Sequence, residues 1–199
     1  MLPQKYQSIP TAVASYDWLD LTSGAGYKKY YLVSSYLAGG TVNYFLSSKV
    51  VDGPTGIWFK TAGNGDLDFD ITMKTPSIIG GSDAVINIPY HHMAGNATTL
   101  TVTIYHVTTG AVETSLGTLT TGRTAGGGGA EDYMECMKIP LTAKKFAIGE
   151  KLRVNVVWTS TGTVTISFDP AGLDTATDKD GRTIALSASV QIPFKIDIT

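Results

Sequence analysis

Hydrophobic and polar residues alternate along most of this chain, in short runs cut by turns rich in Gly, Asn, Asp and Thr. Asp66 to Lys74 shows the pattern best. Leu67, Phe69, Ile71 and Met73 fall on one side, and Asp66, Asp68, Asp70 and Thr72 on the other. A period of two is what a strand with one dry face and one wet face requires. Similar runs predict strands over 28–36, 41–51, 84–90, 99–107, 112–119, 133–139, 151–159, 163–168 and 184–198. Turn signals stand between them: Asp52-Gly53-Pro54-Thr55-Gly56, Gly63-Asn64-Gly65, Thr108-Thr109-Gly110 and Ser160-Thr161-Gly162. Hairpins are expected for 28–36 with 41–51, 99–107 with 112–119, and 151–159 with 163–168. Only Thr142 to Phe146 suggests helix, and then a single short turn. The expectation is an all-β fold, an antiparallel β-sandwich of jelly-roll type. An immunoglobulin-like sandwich is the runner-up, without the Cys…Trp…Cys spacing that marks true immunoglobulin domains.

The first fifteen residues break the rhythm. Pro3 and Pro10 interrupt scattered apolar side chains that follow no period. We expect an extended N-terminal arm over 1–15 and one sandwich domain over 16–199. Leu2, Tyr6, Ile9 and Val13 are costly to leave in water, so they are the expected anchors of the arm on a neighbour or on its own sandwich.

Composition narrows the partners. Charged residues make up 16% of the chain, against about 25% in an ordinary globular protein. The formal net charge is -2, and no run holds more than two adjacent basic residues. A protein that grips a nucleic-acid backbone needs a basic stripe, so direct nucleic-acid binding is not expected. No stretch approaches the roughly 20 apolar residues of a membrane-spanning helix, and the first ten residues lack a signal-peptide core. Synthesis in the cytoplasm without a signal peptide is the expectation, with no membrane partner. The single Cys136 has no internal disulfide partner and is expected to be a small buried hydrophobe in the strand over 133–139.

Candidate chemistry is sparse. Asp66, Asp68 and Asp70 share one face of a strand, where successive side chains stand roughly 6–7 Å apart. That spacing does not converge oxygens on a cation, and a solvated strand face is expected. Asp174, Asp178 and Asp180, followed by Gly181 and joined by Asp169, lie in a loop and are the better cation candidates, for calcium; the base expectation is no cofactor. His91, His92 and His106 are the only histidines; adjacent residues on a strand point to opposite faces, which argues against zinc. His106 falls on the same side as Leu100, Val102 and Ile104. No Gly-x-Ser-x-Gly elbow exists, so nothing marks a hydrolytic serine. The run Gly126-Gly127-Gly128-Gly129 is followed by no Gly-Lys-Ser/Thr and reads as a surface loop, not a phosphate cradle. Tyr27, Tyr30, Tyr31, Tyr36 and Tyr44 could stack on sugars or pack across strands; alternation puts Tyr30 and Tyr31 on opposite faces.

Several segments resemble small jelly-roll virion structural proteins, of the capsid decoration or cement type, from tailed phages and archaeal tailed viruses. They are Asp17-Trp18-Leu19-Asp20-Leu21 running into Gly24-Ala25-Gly26-Tyr27, Asp66-Leu67-Asp68-Phe69-Asp70, Lys138-Ile139-Pro140-Leu141-Thr142 with Phe146, and Gly149-Glu150-Lys151-Leu152-Arg153. Asp169-Pro170-Ala171 and Ile192-Pro193-Phe194-Lys195-Ile196 complete the set. The resemblance implies a non-enzymatic protein on the virion surface that decorates or cements a capsid by protein-protein contact. Its implied partners are the major capsid protein, other virion proteins and further copies of itself as a homo-oligomer. It brings no catalytic or metal residues with it. The alternative is a carbohydrate- or receptor-binding module of a tail or fibre.

Overall fold

The computed structural model describes residues 25–35, 43–48, 58–92, 97–124, 131–168 and 188–195. The expected arm with Leu2, Tyr6, Ile9 and Val13, the Asp174, Asp178 and Asp180 loop, and the Gly126–Gly129 run lie outside the described residues.

Every regular element among the described residues is a strand. In chain order they are β1 (Ala25–Ser35), β2 (Asn43–Ser47), β3 (Trp58–Thr72), β4 (Ser77–Ile79), β5 (Asp83–His92) and β6 (Ala97–Val107). There follow β7 (Glu113–Thr124), β8 (Glu131–Pro140), β9 (Lys144–Phe146), β10 (Lys151–Phe168) and β11 (Ser189–Lys195). The fold is the all-β sandwich that the alternation calls for. Its hydrogen-bonded neighbours run β7-β6-β10-β3-β2-β1-β11-β4-β9, and β5 joins β10 and β11 while carrying β8 on its other side. The pairings β10-β3-β2-β1-β11-β5-β10 therefore close on themselves, so one continuous sheet wraps round the core. All pairings are antiparallel except a single parallel contact, Phe45 with Asp70, between β2 and β3.

The β1–β2 and β6–β7 hairpins form as the sequence predicts. The third expected hairpin does not. Residues 151–168 make one long strand, β10, and Gly63-Asn64-Gly65 lies within β3 instead of turning the chain. The two signals fall at the same level of one ladder, where Thr159 pairs with Asn64 and Val164 with Ala62, so four residues of β10 oppose one of β3. Glycines placed opposite each other permit a wide bulge, and the strand bends there instead of reversing. The bend has a purpose in the fold. Below it β10 pairs with β6, from Lys151 to Ser160; above it Val164 to Ile166 pair with β5.

The expected helical turn at Thr142 to Phe146 is also corrected. Lys144–Phe146 is strand β9, paired with β4. Phe146 is fully buried, and that burial against the sheet outweighs the weak local preference. Pro89 stands inside β5 and does not end it. It falls between the ladders that β5 makes with β11, at Val85 to Asn87, and with β10, at Tyr90 to His92, a place suited to a residue without an N–H.

The core is filled from both sides of the wrap by Trp158, Phe69, Phe146, Ile86, Ile104 and Leu152, each under 2% exposed. Tyr30 points inward and Tyr31 lies half-buried on the other face under the Lys29 ammonium. Tyr44 meets Phe69 edge-on at 5.4 Å. The described early tyrosines thus divide between cross-strand packing and the surface, with Tyr27 left exposed, and Tyr36 lies outside the described residues.

Candidate functional site

Three polar groupings survive the packing of this core. The first covers the outer face of β3, β10, β6 and β7. Asp66, Asp68 and Asp70 share that face as their spacing requires, but they are cross-linked, not simply solvated. Arg153 donates to Asp70 through Nε at 2.7 Å and Nη2 at 2.9 Å, and through Nη1 lies 2.7 Å from Asp68 and 2.6 Å from Glu113. Lys151 reaches Asp70 at 3.3 Å, and Asn155 Nδ2 donates to both Asp66 and Asp68. Partial burial works to raise the Asp70 carboxyl, yet the Arg153 fork and Lys151 hold it below its ordinary range. The same hydrogen bond to Asp70 pushes the Arg153 guanidinium up. Paired side chains of β6 and β7 continue the face, Thr101 with Thr120 and Thr103 with Thr118. Every carboxylate here already has a donor, and the group ties β3, β10 and β7 together across one face. No cluster of three His, Cys, Asp or Glu suited to a metal occurs among the described residues.

The second grouping bridges the open edge of the wrap, between β7 and β8. Glu135 points inward and its side chain is 10% exposed; Arg123 Nε lies 2.7 Å away and its guanidinium sits over the Tyr133 ring. Tyr133 is tilted against Tyr90, 5.5 Å between centroids. Burial first, and then the Glu135 charge, push the Tyr90 phenol up to about 12, so it stays protonated. At the other end of the same edge Thr142 N donates to Leu116 O at 2.9 Å. Cys136 is the correction here. It is exposed, because β8 alternates Glu135, Met137 and Ile139 inward and Cys136 and Lys138 outward. The buried position next to it went to a carboxylate, stabilised by Arg123, so the hydrophobic character of a thiol did not decide the facing.

The third grouping is His106 with Glu150. The imidazole is buried, as its place in the β6 alternation implies. Its Nε2 is 2.8 Å from Glu150 Oε2, and its Nδ1 has no hydrogen-bond partner. A hydrolytic triad needs a hydroxyl or thiol bonded to the imidazole; here the acid is present, and the other nitrogen faces the core. The side chains of His91 and His92 lie outside the described residues. The hydrogen-bonded partners Glu150, Arg123 and Arg153 carry no local sequence signal, because each acts on a residue of another strand.

No protein-family model and no curated protein sequence matches this chain. Solved structures do. A CocE/NonD family hydrolase from Staphylococcus aureus superposes with a TM-score of 0.60 and 11% identity, over 87% of this chain and 37% of that one. An aminopeptidase from the marine sediment archaeon Thaumarchaeota archaeon superposes with a TM-score of 0.53 and 10% identity, over 85% of this chain and 37% of that one. The chain thus spans little more than a third of the length of these hydrolases, and the likeness shows a shared β fold. The VP2 protein of infectious bursal disease virus superposes at a TM-score of only 0.23, too loosely to carry an argument. The expectation of a non-enzymatic capsid decoration or cement protein, with a tail or fibre module as its alternative, is overturned by these matches to hydrolases. The described segments behind it are strand and turn pieces that a sandwich of this kind needs in any setting, so they point to architecture and not to a task; Asp17–Leu21 and Asp169–Ala171 lie outside the described residues.

Proposed function

We propose that this chain is the β-sandwich part of a hydrolase, packed beside a catalytic domain whose access and orientation it fixes. What supports the reading is one observation: 85–87% of this chain superposes on 37% of hydrolase chains at TM-scores of 0.53 to 0.60. The described residues suit that task. The Arg153 clamp ties β10 to β3 and β7 on one face and the Arg123–Glu135 bridge closes the open edge. Both make a stiff block able to hold a neighbour at a set angle. In that setting Leu2, Tyr6, Ile9 and Val13 would seat on the neighbouring domain, not on a viral shell, and the Asp174, Asp178 and Asp180 loop remains the place to look for a calcium ion.

The test is activity in the protein as the cell makes it. Native protein captured by an antibody raised against the sandwich is assayed against p-nitrophenyl esters and aminoacyl p-nitroanilides. Hydrolysis in the captured fraction, removed by depletion with the same antibody, is the expected result. Capture of the intact protein with no hydrolysis of either class would overturn the proposal.

A further inference from the structure

One end of the sandwich, where the β6–β7 turn meets the β9–β10 turn, is organised around a single imidazole. His106 is 3% exposed and stands edge-on to the Phe146 ring, centroids 4.6 Å apart. Glu150 Oε2 takes two donors, His106 Nε2 at 2.8 Å and the Ala147 N–H at 2.7 Å. The turn is also sewn to the end of β3, since Gly149 N donates to Met73 O and Met73 N to Glu150 O. Gly149, at φ 89°, lies against Thr109 of the β6–β7 turn. The two turns carry two of the most exposed large hydrophobics, Ile148 at 65% and Val112 at 63%.

The protonation state follows from the partners. A neutral imidazole has one N–H and one lone pair; a protonated one has two N–H donors. His106 Nδ1 is buried without a partner. A buried lone pair without a donor costs less than a buried, charged N–H without an acceptor. The closed arrangement therefore fits the neutral ring, with its proton on Nε2 and donated to Glu150.

We infer that His106 and Glu150 form an acid-sensitive clasp that holds the 147–150 turn to β6 and so sets the exposed end bearing Ile148 and Val112. Acid adds a proton to the pair at one of two places. On the ring it creates a charged Nδ1–H that faces the core with no acceptor, and the ion pair gained with Glu150, at side-chain exposures of 4% and 17%, is set against the cost of burying that charge. On Glu150 it removes the charge from an oxygen that serves two donors. The closed form is weakened either way. The remaining charges near the pair are already placed. Lys144 of β9 acts on the Glu150 carboxylate from a distance. Lys151 of β10 is committed to Asp70 and Glu113 of β7 to Arg153; Lys74 and Lys145 are exposed. The cross-strand neighbours of His106, Thr114 on β7 and Leu152 on β10, carry no charge.

The experiment is nitrogen NMR of the full chain, with the ring signals of His106 assigned by their loss in His106→Phe. At neutral pH a pyrrole-type Nε2 and a pyridine-type Nδ1 are expected. As pH falls, the Ala147 and Gly149 amides should lose hydrogen-exchange protection, corrected for intrinsic rates, in step with the ring or carboxyl titration, while amides of β5 stay protected. Glu150→Gln keeps a neutral acceptor for both donors and should leave the Ala147 amide protected at neutral pH, while its opening in acid shifts away from the wild-type midpoint. A protonated ring at neutral pH, a proton on Nδ1, or turn amides that stay closed while the pair titrates would each overturn the inference. The wild-type titration decides the matter even if a variant fails to fold.

Discussion

Gly65→Ala separates this packing from a generic β-sandwich by the sign of its effect. Gly65 sits in the interior of β3, directly opposite Trp158 of β10. In an ordinary strand interior, Ala in place of Gly stabilises by about 0.5–1 kcal/mol, through chain entropy. Here a Cβ on Gly65 would fall 2.0 Å from the nearest carbon of the Trp158 ring, and that residue is 1% exposed. Overpacking of this kind costs about 1–3 kcal/mol; full expulsion of the ring approaches the roughly 3–5 kcal/mol of a Trp truncation. A net destabilisation of about 2–4 kcal/mol is expected, a large share of the roughly 5–15 kcal/mol that holds a domain folded. At an m-value of about 2 kcal/mol per M, the urea midpoint falls by about 1–2 M. Gly63→Ala is the internal control: its nearest new contact is Gly162 O at 3.5 Å, an ordinary distance. That variant should be neutral or more stable. In a Trp158→Leu background the Gly65→Ala penalty should largely disappear, giving a coupling of about 2 kcal/mol in the double-mutant cycle. Stabilisation by Gly65→Ala in the wild-type background, or additive behaviour with Trp158→Leu, would refute the placement of the ring over the glycine.

Three further outcomes are expected. Asp70→Asn should destabilise by about 1.5–3 kcal/mol at neutral pH, the range for hydrogen bonds to charged groups. Because the Asp70 carboxyl is held below its ordinary value, its contribution is fully present above that value and disappears as pH falls through the folded one; denaturant midpoints of the variant should therefore depend less on pH in that acid range than those of the wild type. Ala111, at φ 61°, occupies a left-handed position in the β6–β7 turn; Ala111→Gly should raise stability by up to about 1 kcal/mol, measured by thermal unfolding. Cys136 is exposed and should react with a maleimide in the native protein at full stoichiometry, whereas reaction only in denaturant would mean β8 faces the other way.

The alternation of polar and apolar residues was enough to give the class of fold, because a strand with one wet face must repeat every two residues wherever it sits. It also gave the facing of Asp66, Asp68 and Asp70, the burial of His106, and both true hairpins. It misjudged Gly63-Asn64-Gly65 and Ser160-Thr161-Gly162, since glycine permits a bulge as readily as a reversal and only the partner strand decides between them. It misjudged Phe146 and Cys136 because neighbours on other strands, β4 and β7, set their surroundings. The pairing of Arg153 with Asp70, Arg123 with Glu135, and His106 with Glu150 was decided only by the wrap of the sheet, which brings together residues that are 83, 12 and 44 positions apart. Local periodicity carries no information about which strand lies across the ladder, and it is the crossing strand that turns a charge into a clamp or a clasp.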